Sequence, residues 1–184
     1  LSLLVNLQVA VVVIATIGLL AVYNYRLKRL PLLGNLVVAV CAGTTFMVGG
    51  LATSATEALT LPGPLIPAIF AVILHLMREL VKDVQDLEGD RSVGLRTLPM
   101  VIGERTTFAL VFVLALSLAV ATYRPYAYEW FGYRYFWLAA GGVIAPTFSL
   151  SVIAMVLPTP KVARVFSGVL KVAMGLGLLA LIVA

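Results

Sequence analysis

The sequence predicts an all-α fold, a polytopic bundle of transmembrane helices, and three observations lead there. Of the 184 residues, 62% are hydrophobic and only 11% charged, with a mean hydropathy of +1.09. Soluble domains run near roughly 45–50% apolar and about 25% charged. The apolar residues also gather into continuous runs of roughly 20, each long enough to cross a bilayer core. Finally, the runs lack the alternating segments of about ten residues that build a membrane barrel. A disordered chain is excluded too, because it would be polar and charge-rich.

Six spans are expected, at about 3–22, 33–53, 64–82, 99–123, 133–157 and 162–184. Pro31, Pro62, Pro64, Pro99, Pro125, Pro158 and Pro160 stand near their ends, where a missing N–H harms a helix least. Pro67 and Pro146 fall inside spans and are expected to kink them. Gly49-Gly50 and Gly141-Gly142 are read as points of close helix packing or bending. No repeat or linker divides the chain, so 1–184 is one membrane domain. The single Cys41 sits in an apolar run, so no disulfide framework is expected. Residue 1 is Leu and no basic region precedes the first run, so no signal peptide is read. The chain is expected to start partway through a longer protein.

Charge then orients the spans. The net charge is +5, and ten of the 13 basic residues fall on one side: Arg26, Lys28, Arg29, Arg78, Lys82, Arg91, Arg96, Arg105, Lys161 and Arg164. The opposite loops hold only Arg124 and Arg134. By the positive-inside rule the basic side faces the cytoplasm of a cell membrane and Leu1 the outside. Lys171, within the last span, is expected to snorkel to a head group.

Five of the eight acids lie within twelve positions: Glu79, Asp83, Asp86, Glu88 and Asp90. On a continuous helix Glu79, Asp83, Asp86 and Asp90 would share one face. Four like charges there repel, and carboxylates beside a membrane are costly. Lys82, Arg78 and Arg91 offset part of this, and a divalent cation is the more economical partner. With oxygen donors only, the cluster suits Mg²⁺, which is commonly shared between carboxylates and a substrate phosphate. The alternative is a solvated helix end with internal salt bridges. An EF-hand is excluded by the aspartate spacing.

Asp83-x-x-Asp86-x-Glu88-Gly89-Asp90, continuing through Gly94, Arg96-Thr97-Leu98-Pro99 and Gly103, resembles the second aspartate motif of the UbiA-type intramembrane prenyltransferases. The stretch from Tyr23 to Asn35, with Arg26, Lys28, Arg29 and Pro31, is similar to that family's basic loop. Both stand in the family's order, two spans apart.

The resemblance implies a nine-helix bundle of which this chain holds the last six. It implies transfer of a prenyl group from a polyprenyl diphosphate to an aromatic ring or a lipid alcohol. Asp86 and Asp90 match the pair that holds Mg²⁺ and diphosphate, with Asp83 as auxiliary. Lys28 matches the residue contacting the diphosphate, with Tyr23 or Tyr25 beside it and Arg26 and Arg96 as weaker matches. Membrane lipids are the remaining partner; nucleic acid is not expected.

Arg78-Glu79 and the run to Pro99 look most like members whose acceptor is geranylgeranylglycerol phosphate and whose product is an ether lipid. Aromatic acceptors of quinone, tocopherol or chlorophyll-type pathways are the alternative. The family's first aspartate motif, Asn-x-x-x-Asp, has no match in 1–22, where Asn6 is followed four residues later by Ala10. The chain alone is therefore expected to be inactive.

His75, the single histidine, stands one turn before Glu79 and could pair with it, deprotonate an acceptor or serve structure only. The aromatic residues from Tyr123 to Trp137 read as an interfacial belt. No Walker A, Gly-x-Ser-x-Gly or His-Glu-x-x-His pattern occurs. An ion-coupled transporter relaying charge through Asp83 and Asp86, or a non-catalytic remnant, is the reading from another class.

Overall fold

The apolar runs become long helices, and the polar stretches between them become turns and short helices. A computed structural model of the chain describes residues 5–54, 56 and 58–184. The start of the first expected span at residue 3, the placing of Leu1 and the side chain of Arg29 lie outside the described residues. Helix α1 spans Leu7–Tyr25, α2 Leu33–Thr53, α3 Leu65–Gln85 and α4 Leu87–Ser92. Then come α5 Leu98–Ile102, α6 Glu104–Ala127, α7 Tyr133–Val156 and α8 Pro160–Ile182. A 3-10 turn, Leu27–Arg29, joins α1 to α2. No strand occurs among the described residues.

Sequence chemistry sets the ends. Asn6 caps α1: its side-chain oxygen accepts from the Val9 N–H at 2.8 Å, while its amide donates to the Leu51 carbonyl at 2.7 Å. Thr159 caps α8 through the Val162 N–H, with Pro160 preset for the first turn. Pro67 proves to lie in the first turn of α3, where its absent N–H would have had no helical partner, so the kink expected there has no cause. The Pro146 expectation is met in a particular form. Ala140–Ile144 widens into a π-helical turn just before the proline, making room for a ring that would clash with a regular turn.

Two further boundaries differ from expectation. The span placed at 99–123 is split, because the backbone at Gly103 turns to φ 84 and divides α5 from α6. Among the described residues five helices, α1, α2, α6, α7 and α8, are long and apolar enough to cross a membrane. Helix α3 is as long as α2 but stands outside that set, because Arg78, Glu79, Lys82 and Asp83 crowd its last third.

Helix α3 is nevertheless the axis of the bundle, in contact with α2, α6 and α8. Its Met77, Leu80, Val81 and Val84 are fully buried against Phe108 and Val111 of α6 and Phe166 and Leu170 of α8. On the α2 side the backbones nearly touch: a Cβ on Gly43 would stand 2.6 Å from the Val72 side chain and 2.9 Å from the Ala68 carbonyl. Of the two glycine pairs, only Gly50, against Pro64, and Gly142, against Leu176, meet a neighbour; Gly49 and Gly141 face open space. The protein is therefore an integral membrane helical bundle whose central helix carries charge at one end.

Candidate functional site

Three chain segments meet at that charged end. The first leaves α1 at Tyr25, makes the 3-10 turn and re-enters as α2. The reversal is tight: Leu32 is held at φ 67, ψ −43, and the Leu33 N–H donates to the Pro31 carbonyl at 2.8 Å. That three-residue turn is sparsely populated and strained for a residue with a Cβ. The second segment is the last turn of α3 with α4. The third is the loop from Gly94, at φ 72, to Thr97 at the start of α5.

Between them lies a polar pocket of about 220 Å³. Tyr23, Lys28 and Asn35 line it from the first segment, and Glu79, Lys82, Asp83, Asp86 and Asp90 from the second. Leu95, Arg96 and Thr97 close it from the third. The acids do not share the face of one continuous helix, as their spacing predicted. The backbone bends at Asp86, with φ −99 and ψ 10, so Glu79 and Asp83 belong to α3, Asp90 to α4 and Asp86 to the joint. The bend curls the acids around a common space and relieves the crowding a single face would impose.

Of the residues expected from sequence, Tyr23, Lys28, Asp83, Asp86, Asp90 and Arg96 converge here. Tyr25 and Arg26 do not. Tyr25 is 79% exposed, and the Arg26 guanidinium lies 5.8 Å from the centre of its ring, a cation–π contact outside the pocket. Both stand where α1 ends and the chain turns away.

Sequence reasoning missed Asn35 and Thr97 as pocket residues. The Asn35 amide donates to the Asp83 carboxylate at 2.8 Å, fixing that side chain across 48 positions of sequence. The Thr97 hydroxyl is buried and has no hydrogen-bond partner among the described residues. A buried hydroxyl left without a partner is costly unless a ligand completes it.

The electrostatics point the same way. Among the described residues the single ion pair is Arg78–Glu79, at 2.7 Å. Lys28, Lys82 and Arg96 thus face Asp83, Asp86 and Asp90 across one pocket without forming ion pairs among the described residues. Burial pushes the Asp90 carboxyl above the usual range, the Asp86 charge adds to the rise, and Lys82 opposes it. Among the described residues no three His, Cys, Asp or Glu side chains converge closely enough to hold an ion by themselves. The donors are nonetheless all oxygens, which fits a Mg²⁺ ion bound through one or two carboxylates and completed by water and phosphate.

Deeper in the bundle the same wall of α3 lines an apolar cavity of about 100 Å³, with Phe46, Phe70, Leu74 and His75 on one side and Tyr135 and Met174 on the other. His75 does not pair with Glu79. Its Nδ1 donates to the Ala71 carbonyl at 2.9 Å, while Glu79 is taken by Arg78.

A profile of the UbiA prenyltransferase family matches residues 1–167. The chain belongs to that family. It is 37% identical over 165 residues to a digeranylgeranylglyceryl phosphate synthase of Methanopyrus kandleri, a match covering 88% of this chain and 57% of the relative. It is likewise 37% identical over 145 residues to the enzyme of that name from Halobacterium salinarum, covering 78% and 51%. The chain thus spans about half the length of the curated relatives it matches.

A solved structure, described as "Structural and mechanistic insights into the biosynthesis of Digeranylgeranylglyceryl phosphate synthase in membranes", superposes with a TM-score of 0.82 at 26% identity. That superposition covers 99% of this chain and 63% of the other. The UbiA resemblance read from the two sequence motifs is thereby borne out.

Proposed function

We propose that this chain forms the main part of an enzyme that moves a geranylgeranyl group from its diphosphate to the free hydroxyl of geranylgeranylglyceryl phosphate. The product is a membrane ether lipid. One observation carries the reading: a polar pocket whose Lys28, Lys82, Arg96, Asp83, Asp86 and Asp90 form no ion pair among the described residues, with a buried hydroxyl unpartnered among them, lies beside an apolar interior. That is the arrangement an anionic head and a long hydrocarbon tail require. The names of the matched relatives support the choice of donor and acceptor.

Lys28 and Arg96 hold the diphosphate oxygens by charge-assisted hydrogen bonds. The Thr97 hydroxyl completes its missing bond on the same group. Asp86 and Asp90, with Asp83 oriented by Asn35, are the residues that would hold Mg²⁺. When bound, the ion supplies Lewis-acid stabilisation of the charge on the leaving diphosphate. As the allylic carbon–oxygen bond breaks, Lys28 meets the negative charge that develops there. The apolar wall of α3, α6 and α8 excludes water from the carbocation-like centre. The ten basic residues of this end face the cytoplasm, where a soluble diphosphate would be met.

The test is transfer by the full-length gene product in membranes, supplied with geranylgeranyl diphosphate, geranylgeranylglyceryl phosphate and Mg²⁺. Ether product that disappears with a chelator is expected. Product formed only with an aromatic acceptor such as homogentisate would replace the acceptor and keep the enzyme class. Solute flux without prenyl transfer would overturn both.

A further inference from the structure

We propose that His75 accepts the proton of the acceptor hydroxyl, an inference that rests on the prenyl-transfer reading of the charged pocket. The ring's Nδ1 lies 2.9 Å from the Ala71 carbonyl oxygen, an atom that only accepts. Nδ1 must therefore carry the hydrogen, and in the neutral ring Nε2 is left as an unprotonated lone-pair nitrogen. Nε2 makes no hydrogen bond with the protein among the described residues, and the side chain lines the apolar cavity. The helix thus fixes the tautomer and leaves Nε2 as the ring nitrogen with a lone pair to offer.

Its depth is appropriate. His75 stands one turn from Glu79 on the cavity-facing side of α3, and Glu79 lines the charged pocket. One turn is about 5.4 Å of rise, so His75 lies one helical turn deeper in the bundle than Glu79 of the charged pocket, on the side toward which a prenyl chain anchored there would extend. The other polar side chains of the cavity wall, Thr122 and Tyr135, carry hydroxyls rather than a basic nitrogen. The Tyr135 hydroxyl donates to the Thr122 carbonyl at 3.2 Å, and no carboxylate lines this cavity. An alcohol entering from the membrane would meet one available base.

The step balances. The bond from the prenyl C1 to the diphosphate oxygen breaks, and its electron pair leaves with diphosphate. The acceptor oxygen forms the C1–O ether bond while its proton passes to Nε2, giving imidazolium. That proton is returned to water after product leaves.

The test uses the full-length enzyme in membranes, as wild type and as His75→Gln, with geranylgeranyl diphosphate and geranylgeranylglyceryl phosphate. Glutamine can hydrogen-bond the hydroxyl but cannot take its proton. The expected result is a kcat for ether formation reduced by about 10²-fold or more, the scale of general-base catalysis. Donor binding, the KM for acceptor and diphosphate release without acceptor should be unchanged. Transfer by His75→Gln at the wild-type kcat would overturn the inference. So would joint loss of donor binding, diphosphate release and transfer, which marks a structural residue. A wild-type enzyme that neither binds the donor nor releases diphosphate would instead overturn the prenyl-transfer reading, and this inference with it.

Discussion

Where α6 hands over to α7, rings pack on rings; at the opposite end of the bundle, Lys28, Lys82 and Arg96 share a pocket with Asp83, Asp86 and Asp90 and form no ion pair among the described residues. At the first end Tyr126 stacks on Phe136 with centroids 4.5 Å apart, and Phe131 meets Tyr135 edge-on at 4.8 Å. Tyr135 is 1% exposed, and its hydroxyl is satisfied by the Thr122 carbonyl. At the second end, among the described residues, there is one ion pair and a buried hydroxyl without a partner. The contrast separates stability from function. Groups that satisfy one another stabilise the fold, whereas groups held apart are available to a ligand and lower stability until it arrives.

The sharpest way to break this comparison is to remove a charge from the second end. Asp86→Ala in the full-length protein is expected to lower the transfer rate by at least about 10²-fold, as loss of a charge-stabilising group does. Thermal unfolding in detergent should be unchanged or shifted upward, because Asp86 also raises the charging cost of Asp90. A parallel loss of activity and melting temperature would mean that the acids hold the fold.

Filling the α2–α3 contact is expected to act next most strongly. Gly43→Val brings a side chain against Val72 and the Ala68 carbonyl, and overpacking of this kind costs about 1–3 kcal/mol. It also pushes α2, and with it Asn35, away from Asp83. Mg²⁺-dependent donor binding should therefore weaken along with stability, measured on the same sample by titration and by melting. A change at the first end behaves differently. Tyr135→Phe deletes one buried hydrogen bond, costing about 1 kcal/mol, keeps the ring that lines the apolar cavity, and should leave Mg²⁺-dependent donor binding unchanged.

Acidity gives a subtler test. Burial and Asp86 raise the Asp90 pKa, so on acidification this carboxyl takes its proton before an ordinary aspartate does. Donor and Mg²⁺ binding should accordingly begin to fall above the usual aspartate range. The folded chain binds that proton more readily than the unfolded one, so Asp90 lowers stability as pH rises through its raised pKa. Asp90→Asn should remove the Asp90 contribution to the stability dependence. The smallest expected effect is that of Leu32→Gly. It releases a positive-φ strain of about 1–3 kcal/mol, offset by the backbone entropy of glycine, about 0.5–1 kcal/mol. A slightly higher melting temperature is the outcome to look for.

Much of this contrast was legible in the residues themselves. Continuous apolar runs located the helices because each had to satisfy its own backbone in lipid. The spacing of Asp83, Asp86 and Asp90, read with Lys28, located the charged pocket because both motifs lie at helix ends on one side of the bundle. What stayed hidden depends on neighbours distant in sequence or on backbone detail. The Asn35–Asp83 bond joins positions 48 apart, and the burial of the Thr97 hydroxyl depends on the tertiary placing of its loop. The bend at Asp86 and the break at Gly103 leave no periodic trace, since a glycine or an aspartate in an amphipathic run fits a helix as well as a joint. Tyr25 and Arg26 sit within the basic motif yet outside the pocket, because sequence proximity does not say on which side of a turn a side chain emerges.

Binding of geranylgeranyl diphosphate to the full-length protein in lipid nanodiscs, titrated with Mg²⁺, tests the central claim most directly. The account predicts that binding requires the ion and is lost in both Lys28→Ala and Asp86→Ala, with each variant still folded. Binding that needs no divalent cation, or that survives both substitutions, would place the diphosphate elsewhere and contradict it.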